Sequence, residues 1–512
     1  MFETSPAKPE PGVFVILGGS GDLTRRKLVP ALYNLAREGL LPERSAVVGY
    51  GRSAMTDQQF RSRLREGVER FSRTRPVDAG VWEALGARTF YVQGDYGDAA
   101  DHARLRATLA GVDERCGTRG NRIFYLSVPP HVVVPALEAL SASGNLERRR
   151  PCEQDDACYL RVVFEKPFGR DLESARALNA HIDRLLDESQ TFRMDHYLGK
   201  ETVQSISVLR FANSVFEHVW NAQTVRAIRV TVAEALGMEG RGGSFDSVGL
   251  LRDILQNHVL QLLTLVTMEP PAALTAEAVR DEKAKVLRCL RRLEGPEVRR
   301  SAVRGQYGGG TVDGRPVPAY REEEGVAEDS TTETFVGIRT HVDNWRWAGV
   351  PIYLCAGKRL AESLAEVAVE FKEVPPILFR AVEGVELQPN RLTLRVQPDE
   401  GVSLRFATKV PGLTPALRNV KMDFPYGSAS PAGSPEAYER LLLDVMAGNS
   451  ALFARRDEVE LAWQFAGGIL DAWEAEAPAF PNYAPGTWGP VTPGVFFRED
   501  TDYSRAPGAR GV

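Results

Sequence analysis

Residues Val13 to Leu17 (VFVIL) form an unbroken apolar run, the pattern of a strand buried on both faces. The run enters a glycine turn, GGSGDL, and then LVPALYNLAREGLL, where Leu28, Ala31, Leu32 and Leu35 recur at helical spacing. Pro30 either sits near the first turn of that helix or kinks it. A second apolar run starts at Ala46 (AVVG) and completes a βαβ unit within about 40 residues. Further runs at 89–92, 122–128 and 160–164 alternate with helical stretches, so the first part of the chain predicts a doubly wound α/β domain.

Beyond it the period changes. The stretches starting at Gln204 (QSISVLRF), Val225 (VRAIRVTV), Arg391 (RLTLRVQ) and Val402 (VSLRF) alternate apolar with polar, which predicts strands of a mostly antiparallel sheet with one wet face. Helical patterns at 248–268, 434–446 and 457–475 would cover its other face. The expected organisation is a flexible start over 1–11, a Rossmann domain over 12–195 and a larger β+α domain over 196–482. The fold class is therefore α/β plus α+β, and the Gly/Pro-rich stretch 483–512 predicts a poorly ordered tail.

Composition narrows the function more than the fold. Of 512 residues, 43% are hydrophobic and 26% charged, which excludes disordered and collagen-like classes. A net charge of −5 without a long basic run argues against nucleic acid as partner, and no apolar run is long enough to span a bilayer. Five cysteines without a CxxC pair, and an N-terminus without an apolar signal core, lead to the expectation of a cytoplasmic protein. Only 10 of the 63 basic residues are lysines, so each lysine invites the question of whether a compact ammonium is needed there.

The candidate chemistry lies at four places. Gly19-Ser20-Gly21-Asp22-Leu23-Thr24 is a GxGxxG variant between strand and helix, where backbone N–H groups and the helix dipole hold a pyrophosphate. The second strand ends Gly49-Tyr-Gly-Arg52-Ser53, without the acid of an NAD enzyme; Arg52 either takes a 2′-phosphate, favouring NADP, or is a solvated loop cation. Glu165-Lys166-Pro167-Phe168-Gly169 follows a buried strand, where a turn, cis or trans, can aim Lys166 into a cleft. Arg193-Met-Asp195-His196-Tyr197-Leu-Gly-Lys200-Glu201 falls at the junction of the expected domains, and His196, Tyr197 and Lys200 suit a phosphoryl group.

Asp253 and His258 interrupt an apolar helix, LLRDILQNHVLQLLTLV. The imidazole there is either a satisfied core residue or a general base. No zinc or calcium spacing, GxSxG or Walker A motif occurs, so no metal is expected and hydrolase readings lose their anchors. Cys152 and Cys158 fall in an acidic segment, PCEQDDAC, and read as two solvated thiols rather than a redox switch.

Taken together, GGSGDLTRRK, GYGRS, NRIFYLSVPP, EKPFG, RMDHYLGKE, EGRGG, LLRDILQNH, RVQPDEGV and AYERLLLDV resemble the glucose-6-phosphate dehydrogenase family in order and spacing. RMDHYLGKE is highly specific to it. The resemblance implies oxidation of glucose 6-phosphate at C1 to 6-phosphogluconolactone with reduction of NADP+, the first step of the oxidative pentose phosphate pathway. It also implies a homodimer or homotetramer assembled through the antiparallel sheet. By position, His258 would be the general base and Asp195 its orienting carboxylate. His196, Tyr197 and Lys200 would hold the substrate phosphate, Lys166 would bridge substrate and coenzyme, and Glu234, Asp253 and Lys358 would bond the sugar hydroxyls. Gly18, Ser20, Gly21, Asp22 and Leu23 would wrap the pyrophosphate, with Arg52 and Lys27 favouring the 2′-phosphate. Four of the ten lysines (Lys27, Lys166, Lys200 and Lys358) thus fall at ligand positions. The chain departs from the family pattern at Ser363, where a further phosphate-binding cation is usual, and in the segment containing Cys152 and Cys158.

Overall fold

A computed structural model describes residues 9–148, 158–375, 377, 387–413, 416–426 and 435–490. The chain divides into two compact units, one of Met1–Lys200, Pro271–Glu282 and Pro435–Glu460, the other of Glu201–Pro270, Lys283–Ser434 and Leu461–Val512. The expected boundary after 195 therefore moves to Lys200, and two later segments return to the first unit. Buried polar contacts account for one return: Glu439, 2% exposed, accepts from Arg73 Nε at 2.8 Å and Asn34 Nδ2 at 2.8 Å. Arg161 Nη1 also donates to the Val445 carbonyl at 2.7 Å. The other return is tied by Arg455, whose Nη1 donates to Asp281 at 2.7 Å. Cys152 lies outside the described residues.

In the first unit, β1 (Val13–Leu17), β2 (Ala46–Gly51), β3 (Thr89–Gln93), β4 (Arg122–Leu126), β5 (Leu160–Glu165) and β6 (Thr191–Met194) are parallel. Their order is β3-β2-β1-β4-β5-β6, and the two-residue strand Phe453–Ala454 adds antiparallel to β6. Order reverses between β1 and β4, so the carboxyl ends of these central strands form the ligand crevice of a doubly wound sheet. The unbroken apolar runs match this burial: every residue of β1 is at most 2% exposed. Pro30 lies in the first turn of the helix Val29–Arg37.

The second unit is built on β7 (Val225–Ala233), β8 (Ala302–Gly305), β11 (Phe335–Thr340), β12 (Ile352–Gly357), β13 (Leu364–Phe371), β14 (Arg391–Gln397), β15 (Gly401–Lys409) and β16 (Leu417–Pro425), with β9 (Gly310–Val312) and β10 (Arg315–Val317) as a separate hairpin. The large sheet runs β16-β15-β14-β13-β7-β12-β11-β8, antiparallel except for the β7–β12 pair. Alternation is visible in β14, where Leu392, Leu394 and Val396 are buried.

Two expectations fail in this unit. The stretch from Gln204 is not a strand but part of the helix Glu201–Phe211. A strand would treat Ile206 and Val208 alike, whereas Ile206 is 0% and Val208 38% exposed. Burial instead follows Val203, Ile206, Ser207 and Arg210, the helical spacing. The expected tail also starts too early. Tyr483 is 7% exposed and its hydroxyl donates to the Lys358 carbonyl at 2.8 Å, so this part of the chain completes the core. Among the described residues no helix is long and apolar enough to cross a membrane.

Candidate active site

The glycine turn between β1 and its helix is held by backbone. Gly18 and Gly19 N–H donate to the Tyr50 carbonyl at 2.9 and 3.1 Å, and Gly21 N–H to the Gly18 carbonyl at 2.8 Å. Gly18 has φ +89°, and a Cβ there would stand 2.0 Å from the Ser127 carbonyl oxygen. Thr24, at the third glycine position, is buried and donates its hydroxyl to the Gly18 carbonyl at 3.0 Å. Ser20, Gly21, Asp22 and Leu23 are thereby set at a helix entrance whose N–H groups and dipole favour an anion. Arg52 lies exposed just beyond β2, its guanidinium 5.9 Å from the Tyr96 ring centroid. Tyr91 fixes that loop by donating to the Ser53 carbonyl at 2.7 Å. Arg63, which carried no signal in the sequence, donates to the Ser20 carbonyl at 3.0 Å. Lys27 is engaged by Glu436 at 3.0 Å rather than with Arg52. A glycine turn with no room for a Cβ at Gly18 and a helix entrance fit a dinucleotide.

Gly18→Ala is accordingly expected to lower unfolding free energy by about 2–3 kcal/mol, from overpacking together with an unfavourable φ. Denaturant unfolding measures it, and an unchanged midpoint would refute the tight turn.

The carboxyl ends of β5 and β6 carry the next group. Glu165 closes β5 in a partly buried position, accepting hydrogen bonds from the Tyr125 hydroxyl and, at 3.2 Å, the Tyr438 hydroxyl. Burial pushes the Glu165 carboxyl up from its usual range, opposed by the two tyrosine hydrogen bonds and by Lys166. Lys166 follows directly, and the Lys166–Pro167 bond is cis. After β6, Asp195, 3% exposed, caps the short 3₁₀ turn His196–Gly199 by accepting the Tyr197 N–H at 3.0 Å. The turn gathers three of the expected phosphate ligands. The His196 ring meets Tyr197 edge-on at 5.1 Å, and Lys200 Nζ lies 4.8 Å from the Tyr197 ring centroid. Tyr438 stacks on His196 with planes 9° apart. Its link to Glu165 spans 273 residues, which no local pattern could signal.

In the second unit, parallel pairing brings together two of the residues expected at the sugar hydroxyls. Ala233 and Gly357 are register partners, so the residues that follow, Glu234 and Lys358, stand side by side with Nζ and Oε2 at 2.5 Å. Lys358 is 4% exposed. Asp253 and His258 lie on Leu251–Val259, a π-helical segment continued by the α-helix Leu260–Thr267. In α geometry residues five apart would point about 140° away from each other. The i→i+5 bonding of a π-helix reduces that angle. His258 is 1% exposed and its backbone N–H donates to Asn257 Oδ1 at 2.6 Å. Ser363 accepts the Ala235 N–H on its hydroxyl at 2.9 Å, and Arg359 is held by Glu323 at 3.5 Å.

Comparison with known proteins covers nearly the whole chain. Residues 15–205 match the family model "Glucose-6-phosphate dehydrogenase, NAD binding domain", and 207–504 match "Glucose-6-phosphate dehydrogenase, C-terminal domain". A glucose-6-phosphate 1-dehydrogenase of Chlamydia muridarum is 43% identical over 96% of each chain. Glucose-6-phosphate 1-dehydrogenase 2 of Mycobacterium bovis is 46% identical over 93% of this chain and 91% of its own. Among solved structures, a glucose-6-phosphate dehydrogenase in complex with glucose 6-phosphate superposes with TM-score 0.83 at 33% identity, covering 95% of this chain and 96% of that one. The Mycobacterium avium glucose-6-phosphate 1-dehydrogenase gives 0.77 at 36%, over 94% and 96%.

Proposed function

From the premise that this chain belongs to the glucose-6-phosphate dehydrogenase family, we propose that it oxidises glucose 6-phosphate at C1 to 6-phosphogluconolactone, with NADP+ as acceptor. The observation that carries the substrate is the turn after β6, where the Asp195 cap gathers His196, Tyr197 and Lys200. Two cationic or hydrogen-bonding groups and a phenol at one short turn suit a phosphate dianion.

In this reading His258 takes the C1 hydroxyl proton, and Asp195 fixes its tautomer and stabilises the imidazolium. A nicotinamide dinucleotide whose pyrophosphate the glycine turn would hold would supply the hydride acceptor. Lys166 bridges substrate and coenzyme, next to the partly buried Glu165. Glu234 and Lys358 offer one acceptor and one cation to the sugar hydroxyls, and Asp253 a second acceptor. Gly18, Ser20, Gly21, Asp22 and Leu23 receive the pyrophosphate. Arg52 and Lys27 receive the 2′-phosphate, the Lys27 ammonium remaining half-exposed in its pair with Glu436. The same reading makes the enzyme cytoplasmic and a homodimer or homotetramer.

The direct test follows reduced-coenzyme absorbance with glucose 6-phosphate or glucose, each with NADP+ or NAD+. Turnover is expected with glucose 6-phosphate and NADP+; none with that pair overturns the reading. For the coenzyme, Arg52→Ala is expected to raise KM for NADP+ about 10-fold or more while moving KM for NAD+ less than about threefold, since a charge-assisted contact contributes roughly 1.5–3 kcal/mol. Equal losses for both coenzymes would remove Arg52 from the 2′-phosphate.

A further inference from the structure

The helix carrying His258 is held at both ends by residues remote in sequence. At its carboxyl end the Leu265, Val266 and Thr267 carbonyls accept from Arg210 Nη1 at 3.0 Å, the Trp220 indole at 2.8 Å and the Trp347 indole at 2.7 Å. All three donors are 0% exposed, so the terminal carbonyls are satisfied by groups set in the core. At the amino end Gly249 turns the chain at φ +79° and Glu333 closes it. The Leu250 N–H donates to the Glu333 carbonyl at 3.2 Å and the Leu251 N–H to Glu333 Oε1 at 2.9 Å. A Cβ on Gly249 would stand 2.6 Å from Oε1, so the carboxylate is lodged against the turn.

Glu333 is only 6% exposed. Burying a carboxylate is costly unless its charge and hydrogen bonds are used, and an apolar residue would fill the space without that cost. Burial pushes the Glu333 carboxyl up, against the Leu251 N–H and the Arg252 and Arg304 cations. The following residue binds the other side of the sugar site: the Thr334 carbonyl accepts the Lys358 N–H at 2.9 Å. One dipeptide therefore touches both the base helix and the lysine beside Glu234.

Between these anchors the first part, Leu251–Val259, is π-helical, a geometry rarer than the α-helix and found mostly as short bulges at functional sites. Dropping one residue from it to restore α geometry would rotate the side chains on one side of the change by about 100° relative to those on the other. With the carboxyl end fixed by the two indoles and Arg210, that slack can leave only through the amino end, where Glu333 stands.

We propose that Glu333 is a positioning residue for the reaction: by holding the Leu251 N–H it keeps the π-register that sets the His258 imidazole. The inference rests on the reading of His258 as base. Displacements of about 1 Å at a reacting group can cost two orders of magnitude in rate. Glu333→Ala is therefore expected to lower kcat about 10–100-fold with KM for glucose 6-phosphate moved less than about threefold. Glu333→Gln, whose amide oxygen accepts the same N–H, is expected to stay within about threefold of the parent.

A cavity of about 390 Å³, bordered by Glu333, Arg252, Arg304, Thr332 and Trp473, gives small carboxylates a route to the vacated position. Acetate should restore kcat of Glu333→Ala severalfold, whereas chloride at equal ionic strength should not. A folded Glu333→Ala enzyme with parental kcat overturns the proposal, and so does a Gln variant as slow as Ala without acetate rescue. If Glu333→Ala fails to fold, Glu333→Asp decides. Its shorter reach should lower kcat more than the Gln variant does, and parental turnover in Asp refutes the role. His258→Asn separates the two claims: a slow His258→Asn beside a fast Glu333→Ala removes only the positioning role, while a fast His258→Asn removes the base itself.

Discussion

Replacing His258 with asparagine is expected to lower kcat for glucose 6-phosphate by at least about 10²-fold, with KM changed less than about threefold. Asparagine approximates the imidazole in volume and keeps a hydrogen-bonding edge, so the buried position, 1% exposed, tolerates it without a large cavity. What the amide lacks is a basic nitrogen. It cannot take the C1 hydroxyl proton as hydride leaves, so the loss falls on the transition state and not on ground-state binding. Steady-state kinetics on protein shown to be folded by its melting curve make the comparison. Near-parental kcat would place the base elsewhere, and a KM rise with unchanged kcat would make His258 a binding group only.

The second large effect concerns the substrate. Glucose is expected to show a kcat/KM at least about 10³-fold below that of glucose 6-phosphate, because His196, Tyr197 and Lys200 would lose the dianion they gather around. Each charge-assisted contact contributes roughly 1.5–3 kcal/mol, so the three together suffice for that ratio even at the lower figure. Ser363 limits the figure from above, since its hydroxyl accepts the Ala235 N–H and Arg359 is engaged by Glu323. Comparable kcat/KM for the two sugars would contradict phosphate recognition and favour a dehydrogenase of unphosphorylated sugars. Lys200→Gln should narrow the ratio about 10-fold or more, which ties the discrimination to this turn.

Both predictions use residues visible in the sequence, yet the structure alters how they work. Asp253 and His258 are five apart, and the apolar periodicity around them reads as an α-helix, whereas the segment that carries both is π-helical. Ser20 and Arg52 were legible as motif members, whereas Arg63 joins the same turn from the helix Asp57–Phe71 with no motif of its own. Lys27 was assigned by position in the motif, but a glutamate 409 residues away engages it. The stretch from Gln204 satisfied a period of two on paper. Its tertiary surroundings, with Arg210 reaching the Leu265 carbonyl, favour the helix.

Taken alone, the sequence determined what depends on near neighbours. The apolar runs specified strands buried on both faces, the glycine turn placed a phosphate cradle at a helix entrance, and RMDHYLGKE carried its own cap in Asp195. Each of these is written in a few consecutive residues whose backbone geometry and burial reinforce one another. Tertiary structure alone decided which distant groups satisfy buried polar atoms. Glu333 beneath the Leu251 N–H, Tyr438 against Glu165, and the indoles of Trp220 and Trp347 on the end of the His258 helix have partners tens to hundreds of residues away. A buried donor or acceptor must be paired, but the requirement does not say by whom. Only packing brings a particular partner within about 3 Å.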